Sequence, residues 1–282
     1  MEFYLNFDSP TLNKSLKLKE VSFEKYRILN KFLINNNNFH ISEYFDVILN
    51  DCLIEKEFFT QLTNFDKFCA LFLLRCISVS PEVEFKKDKI NSKASLMPFL
   101  KTCLDFKIDF LKTIKLDENI KITLSLPKQL AFENMFDIYY DSINKVFYNE
   151  KEIVYPHDRS KLIEMLPAEI TNHLKKFADE TTEMFKKIVL NIGLSKEEKI
   201  TITPFNLSFI EILKALYSAN LKSIMELQYL LVSKMFYSPE YVDKNTLAEN
   251  LVLANIYEAE VKKLNEEQAK SFPIEKQGPP TK

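Results

Sequence analysis

Glycine is almost missing from this 282-residue chain, which holds only Gly193 and Gly278. Phosphate cradles, dinucleotide fingerprints and nucleophile elbows need glycine where the backbone takes positive φ or closely approaches a ligand. That scarcity excludes a P-loop, a G-x-G-x-x-G turn and a G-x-S-x-G elbow. Tryptophan is absent, and histidine is limited to His40, His157 and His173, none in an H-x-x-x-H pair or beside a cysteine. A histidine-centred catalytic or metal site is therefore not expected. Cys52, Cys69, Cys76 and Cys103 form no C-x-x-C and sit in apolar surroundings, as buried reduced thiols do. The longest apolar run, residues 69–74, falls far short of the roughly 18 residues of a membrane span. The acidic, polar N-terminus has no signal-peptide pattern, so neither a membrane partner nor secretion is expected. Excess charge is missing too. The 38 Lys and Arg balance 40 Asp and Glu, for a net charge of -2, and no nucleic-acid partner is expected.

What the chain does have is apolar bulk. Hydrophobic residues make up 46%, with 24 Phe and 12 Tyr, ample surface to offset chain entropy. Helical spacing appears first over 22–34, where Phe23, Tyr26, Leu29, Phe32 and Leu33 share a face behind a Ser22 cap. Residues 35–38 read as a loop, and Ser42 as the cap of a short helix to Leu49. Thr63 or Asn64 caps a third helix whose residues 65–77 are apolar nearly all round, which predicts a central core element.

The period then shortens. Val83 and Phe85 alternate with charged neighbours, and residues 110–116 and 120–126 flank the turn Asp117-Glu118-Asn119, predicting a hairpin. Residues 143–155 predict a second hairpin around Asn149-Glu150-Lys151. Short helices are expected over 96–106 and 132–140.

Beyond Pro156-His157-Asp158 the pattern is helical. Pro167 suits the first turn of a long helix whose stripe runs from Ile170 to Val189, with Gly193 placed to end it. Further helices are expected over 207–217, capped by Asn206, and over 221–235. Thr246 with Glu249 is a capping box for a helix carrying Leu247, Leu251, Ala254, Tyr257, Val261 and Leu264. From Glu266 the apolar positions run out. The expected fold is therefore mainly α with a small β component (α+β). Residues 1–157 form an α+β N-terminal domain with β-hairpins, 158–265 a helical C-terminal domain and 266–282 a disordered tail.

The carboxylate pairs Glu197-Glu198 and Glu266-Glu267 lie in polar stretches where nothing shifts a pKa. The lysines of 86–89, 175–176 and 186–187 are interleaved with acids and read as solvated faces. No cofactor, metal or catalytic residue is assigned. The aromatics Phe205, Phe209, Tyr217, Tyr229, Phe236, Tyr237, Tyr241 and Tyr257 crowd the second half, where core packing and a protein interface are the two readings.

Two motifs in that half, Leu162-Ile163-Glu164-Met165-Leu166-Pro167 and Pro204-Phe205-Asn206-Leu207-Ser208-Phe209, resemble the baseplate hub family of T4-type contractile-tailed bacteriophages. The resemblance continues through Met235-Phe236-Tyr237-Ser238-Pro239-Glu240-Tyr241 and Asn245-Thr246-Leu247-Ala248-Glu249 to the segment 256–267, and so spans residues 160–268. Thr246-Leu247 departs from the family's Thr-Pro. Upstream, Leu74-Arg75-Cys76-Ile77-Ser78 and Leu124-Ser125-Leu126-Pro127 are similar in position and character. The resemblance implies a non-enzymatic protein of the tail baseplate hub. It would be an assembly chaperone binding hub or tape-measure proteins in the host cytoplasm, or alternatively a permanent subunit of the virion baseplate, with an enzyme of unrecognised site as the remote third reading. The residues expected to include exposed binding positions are Phe205, Phe209 and Tyr237.

Overall fold

The computed structural model describes residues 4–35, 37–87, 90–107, 110–154, 169–191, 199–206 and 209–271. The chain begins with an antiparallel hairpin, β1 (Leu5–Asp8) and β2 (Ser15–Leu18), which the hydrophobic period does not announce. Helices α1 (Phe23–Asn35) and α2 (Asn38–Cys52) follow. α2 begins before Ser42, because Asn37 is its cap and accepts a hydrogen bond from the His40 amide at 3.0 Å. The Ser42 hydroxyl donates back to the Phe39 carbonyl inside the helix instead.

A 3₁₀ turn (Lys56–Gln61) leads into α3 (Asn64–Ser78), where thirteen of fifteen residues are buried. Thr63 closes a capping box with Asp66, the hydroxyl accepting from the Asp66 amide and the carboxylate from the Thr63 amide. The same carboxylate holds the first hairpin. Ser9 Oγ donates to it at 2.7 Å, the Thr11 amide at 3.1 Å, and the Thr11 hydroxyl also donates. A buried carboxylate is sustained here because donors from three residues surround it.

The strands β3 (Glu82–Lys87) and β4 (Ile90–Ser95) form a hairpin ahead of α4 (Met97–Asp105). Both hairpins expected further on are present and join in one four-stranded antiparallel sheet. It has the order β5 (Lys112–Lys115), β6 (Ile120–Leu124), β7 (Ile143–Tyr148), β8 (Lys151–Glu152), with α5 (Met135–Asp141) between β6 and β7. The β7–β8 turn places Asn149 at φ 49° and Glu150 at φ 61°, the two left-handed residues of a tight hairpin turn.

In α6 (Ile170–Phe185) the buried stripe Ile170, Leu174, Phe177, Ala178, Thr181 and Phe185 matches the expected spacing. The helix stops at Phe185, well short of Gly193, which lies outside the described residues. Val189–Asn191 is instead a strand, β9, paired with β10 (Lys199–Thr201). Ile188 and Leu190 are both buried, an alternation with period two, whereas the three-and-four spacing read from Phe185 runs through Ile188 and Val189. The motif at 162–167 and the expected helix start at Pro167 likewise fall outside the described residues.

Helices α7 (Phe209–Tyr217) and α8 (Leu221–Tyr229) come next, and α8 passes into a π-helical segment, Leu230–Lys234. The short α9 (Pro239–Lys244) and the long α10 (Leu247–Ser271) complete the described chain. α10 continues past Glu266, where the apolar positions run out, to Ser271. The fold is thus α+β and mainly helical. Hydrogen bonds tie the two halves of the sequence together. Tyr217 Oη donates to the Leu71 carbonyl at 2.5 Å and Arg75 Nε to that of Leu216 at 3.0 Å. Asn64 Nδ2 donates to the Pro204 carbonyl at 2.8 Å, and the Ala219 amide to Asn30 Oδ1 at 2.7 Å.

Candidate protein interface

The three aromatics expected to include a binding surface have different surroundings. Phe205 is 5% exposed and packs edge-on to Phe177 at 5.9 Å and tilted against Tyr139 at 6.5 Å. It is a core residue, because the turn before α7 folds it under α5 and α6. The side chain of Phe209 lies outside the described residues. Tyr237 is half-buried and stacks on Tyr241 with ring centroids 5.2 Å apart.

Tyr237 belongs to a ledge built by α8, the π-helical segment and α9. Met225 and Tyr229, one helical turn apart, are both exposed on α8, and Lys234 Nζ lies 6.0 Å from the Tyr229 ring centroid. After the π-helical segment the backbone turns left-handed at Phe236, which has φ 60° and is 87% exposed. Left-handed backbone is disfavoured for a residue with a Cβ. Here it ends the π-helical segment, the Tyr237 amide donating to the Leu231 carbonyl at 3.1 Å, and it leaves the aromatic ring in solvent. Ser238 then caps α9, accepting from the Tyr241 amide at 3.2 Å.

The ledge is held from behind. Arg27 on α1 donates to Gln228 Oε1 at 2.5 Å and to Asp243 Oδ2 at 3.2 Å. The Phe23 amide donates to the Asn245 carbonyl at 2.6 Å, and Asn250 Nδ2 to that of Val242 at 2.9 Å. An apolar rim on a fixed support is what a recognition surface needs, since little ordering remains to be done on binding. Phe236 lay unsingled among eight aromatics in the sequence. Nothing local marks it, because period does not separate core from surface and no glycine flags the positive φ.

Chemistry that would make this an enzyme is sparse among the described residues. No group of three His, Cys, Asp or Glu side chains there stands close enough to hold a metal ion. All four cysteines are free and buried. Burial pushes the Cys52 and Cys76 thiols up to about 11 and raises Cys69 as well, so they stay protonated and unreactive. The ring of His40 meets Glu43 at 3.1 Å on the surface, and His173 is exposed. A cavity of about 320 Å³ opens between the β1–β2 turn, the cap of α3 and the sheet, lined by Thr11, Leu12, Thr63, Phe110, Leu126 and Asn144 among others. Its described lining contains lysines but no acid, histidine or cysteine, and so has no acid–base pair. No described helix is long and apolar enough to cross a membrane.

A family model described as T4 bacteriophage base plate protein matches residues 2–210. No curated protein and no solved structure matches the chain. The match upholds the resemblance at the level of the family, and it runs further toward the N-terminus than the motifs that carry it. Three motif residues within the matched stretch have roles in packing. Arg75 ties α3 to α7, Ser78 Oγ accepts from the Val21 amide at 2.9 Å, and the Pro204 carbonyl accepts from Asn64. The ledge and α10 lie beyond the matched stretch.

Proposed function

The chain belongs to the family of T4 bacteriophage base plate proteins, and from that premise we propose that it is a non-enzymatic baseplate hub assembly protein. It binds other baseplate components, hub or tape-measure proteins, through the ledge around Phe236. The observation that carries this reading is an aromatic ring held out in solvent by a disfavoured backbone on a hydrogen-bonded support. Aromatic anchors that fill a partner's pocket dominate binding energy at protein interfaces.

A second reading, a permanent subunit of the baseplate, is favoured by the family description itself. The two readings differ in where the protein ends up. Quantitative mass spectrometry of purified particles beside infected-cell lysate, with a known baseplate protein as the internal standard, separates them. Abundance in lysate with absence from particles is the result expected of an assembly protein acting in the host cytoplasm. Stoichiometric copies in particles would overturn that role in favour of the subunit.

A further inference from the structure

Helix α10 leaves the body of the protein part-way along its length. Leu247, Asn250 and Ala254 are buried, but no described side chain from Asn255 to Gln268 is. The stripe that faces the core nevertheless continues, as Tyr257 and Val261, both half-buried, and then Leu264, 57% exposed. These positions keep the spacing of a helix–helix seam. An open groove of about 510 Å³ runs beside them, lined by Tyr257, Glu258, Val261, Lys262, Asn265 and Glu266. Along its wall Glu258, Lys262 and Glu266 recur every four residues, so that acid, base and acid alternate.

We propose that this segment of α10 pairs with the same segment of a second copy of the chain, antiparallel, to form a homodimer. The charge order identifies the occupant. A two-fold axis near Glu260 and Val261 sets Glu258 across from Lys262 of the second copy, and Lys262 across from its Glu258. The same axis lays Tyr257 over Leu264 of the second copy and brings the two Val261 side chains together. One surface is thereby both halves of its own complement, as an isologous interface requires. This contact is separate from the ledge at Phe236, and its outcome leaves the ledge untouched.

Sedimentation velocity of the full chain across micromolar concentrations tests the proposal. The expected result is a reversible dimer that Val261→Asp and Lys262→Glu each weaken by about tenfold or more, with far-ultraviolet circular dichroism unchanged. Combining Lys262→Glu with Glu258→Lys exchanges the charges and restores dimerisation. Because every native cysteine is buried, a single new surface thiol gives a second readout. With Val261→Cys, two thiols from two copies lose their protons and pass two electrons to added diamide, yielding a disulfide-linked dimer and the reduced hydrazine. Val252→Cys lies about two and a half turns away, on the opposite side of the helix, and gives none. A monomer at every concentration, a dimer indifferent to Val261→Asp, or failure of the charge exchange to restore pairing would each overturn the proposal.

Discussion

Helices α3 and α10 make opposite use of apolar residues. In α3 they are spread around the circumference and disappear into the core, with Phe65, Phe68 and Phe72 fully buried. In α10 they are nearly as widely spread, yet Leu251, Val252, Ile256 and Leu264 stay exposed. The difference lies in what surrounds each helix. Phe72 stands 5.0 Å from Phe99 and Phe65 4.8 Å from Phe185, whereas the distal turns of α10 extend past the body. A helix that is apolar on several sides is stable only when covered. In α3 the cover comes from the chain's own elements, and for the distal turns of α10 the proposed cover is a second copy of the chain.

The largest expected effect breaks the first half of this contrast. Phe72→Ala should cost about 3–5 kcal/mol of unfolding free energy, because a fully enclosed ring leaves a cavity that packed neighbours fill only in part. Urea denaturation followed by circular dichroism measures it. Ile256→Lys, on the exposed part of α10, should change the same free energy by no more than about 0.5 kcal/mol. If the two variants lose comparable stability, α10 is part of the core and the contrast is wrong.

An intermediate effect concerns the charge that α3 does bury. Lys67 is 6% exposed, meets Asp46 at 2.9 Å and lies 5.0 Å from the Phe59 ring centroid. Burial raises the Asp46 carboxyl above its ordinary value, and Lys67 pulls it back down. A carboxyl whose folded pKa is raised stabilises the fold while protonated, and that contribution is lost as pH rises through the raised value. Removing the lysine raises it further. Lys67→Met should therefore be close to wild type in acid and fall behind as pH rises. The deficit should reach about 1–2 kcal/mol at neutral pH, at the low end because Asp46 keeps 32% of its side chain exposed. Unfolding at a series of pH values gives the slope, and a deficit that shrinks as pH rises would refute the assignment.

The same contrast explains what was legible in the sequence. α3 is plain because its apolar run is bounded by Thr63 and Asp66, a local signal. The hairpins at 117–119 and 149–151 are plain because their turn residues sit between alternating strands. The β1–β2 hairpin is not, since its strands have four residues each and the carboxylate that holds their turn lies more than fifty positions away. The end of α6 was misplaced because Ile188 and Val189 suit a helical stripe as well as a strand. Phe205 and Phe236 both read as aromatic residues in an aromatic-rich half, and only tertiary packing makes the first a core residue and the second a surface one.

Phe236 gives a small effect on stability and the sharpest separation of stability from binding. The residue is 87% exposed, so removing its ring forfeits almost no burial. Its backbone at φ 60° carries a penalty of about 1 kcal/mol that glycine would relieve, offset in part by glycine's greater freedom in the unfolded chain. Phe236→Gly should leave stability unchanged or raise it by up to about 1 kcal/mol, with Phe236→Ala lying below it because the Cβ and its strain remain. If the ring is an anchor, both variants lose binding to the baseplate partner by about tenfold or more, measured by titration calorimetry once that partner is in hand. A loss of more than about 2 kcal/mol in either variant would mean that the ring is packed against something in the folded chain. Neutral stability joined to lost binding is what residues placed for another molecule have in common, and it would extend to the ledge before α9 the distinction drawn between α3 and α10.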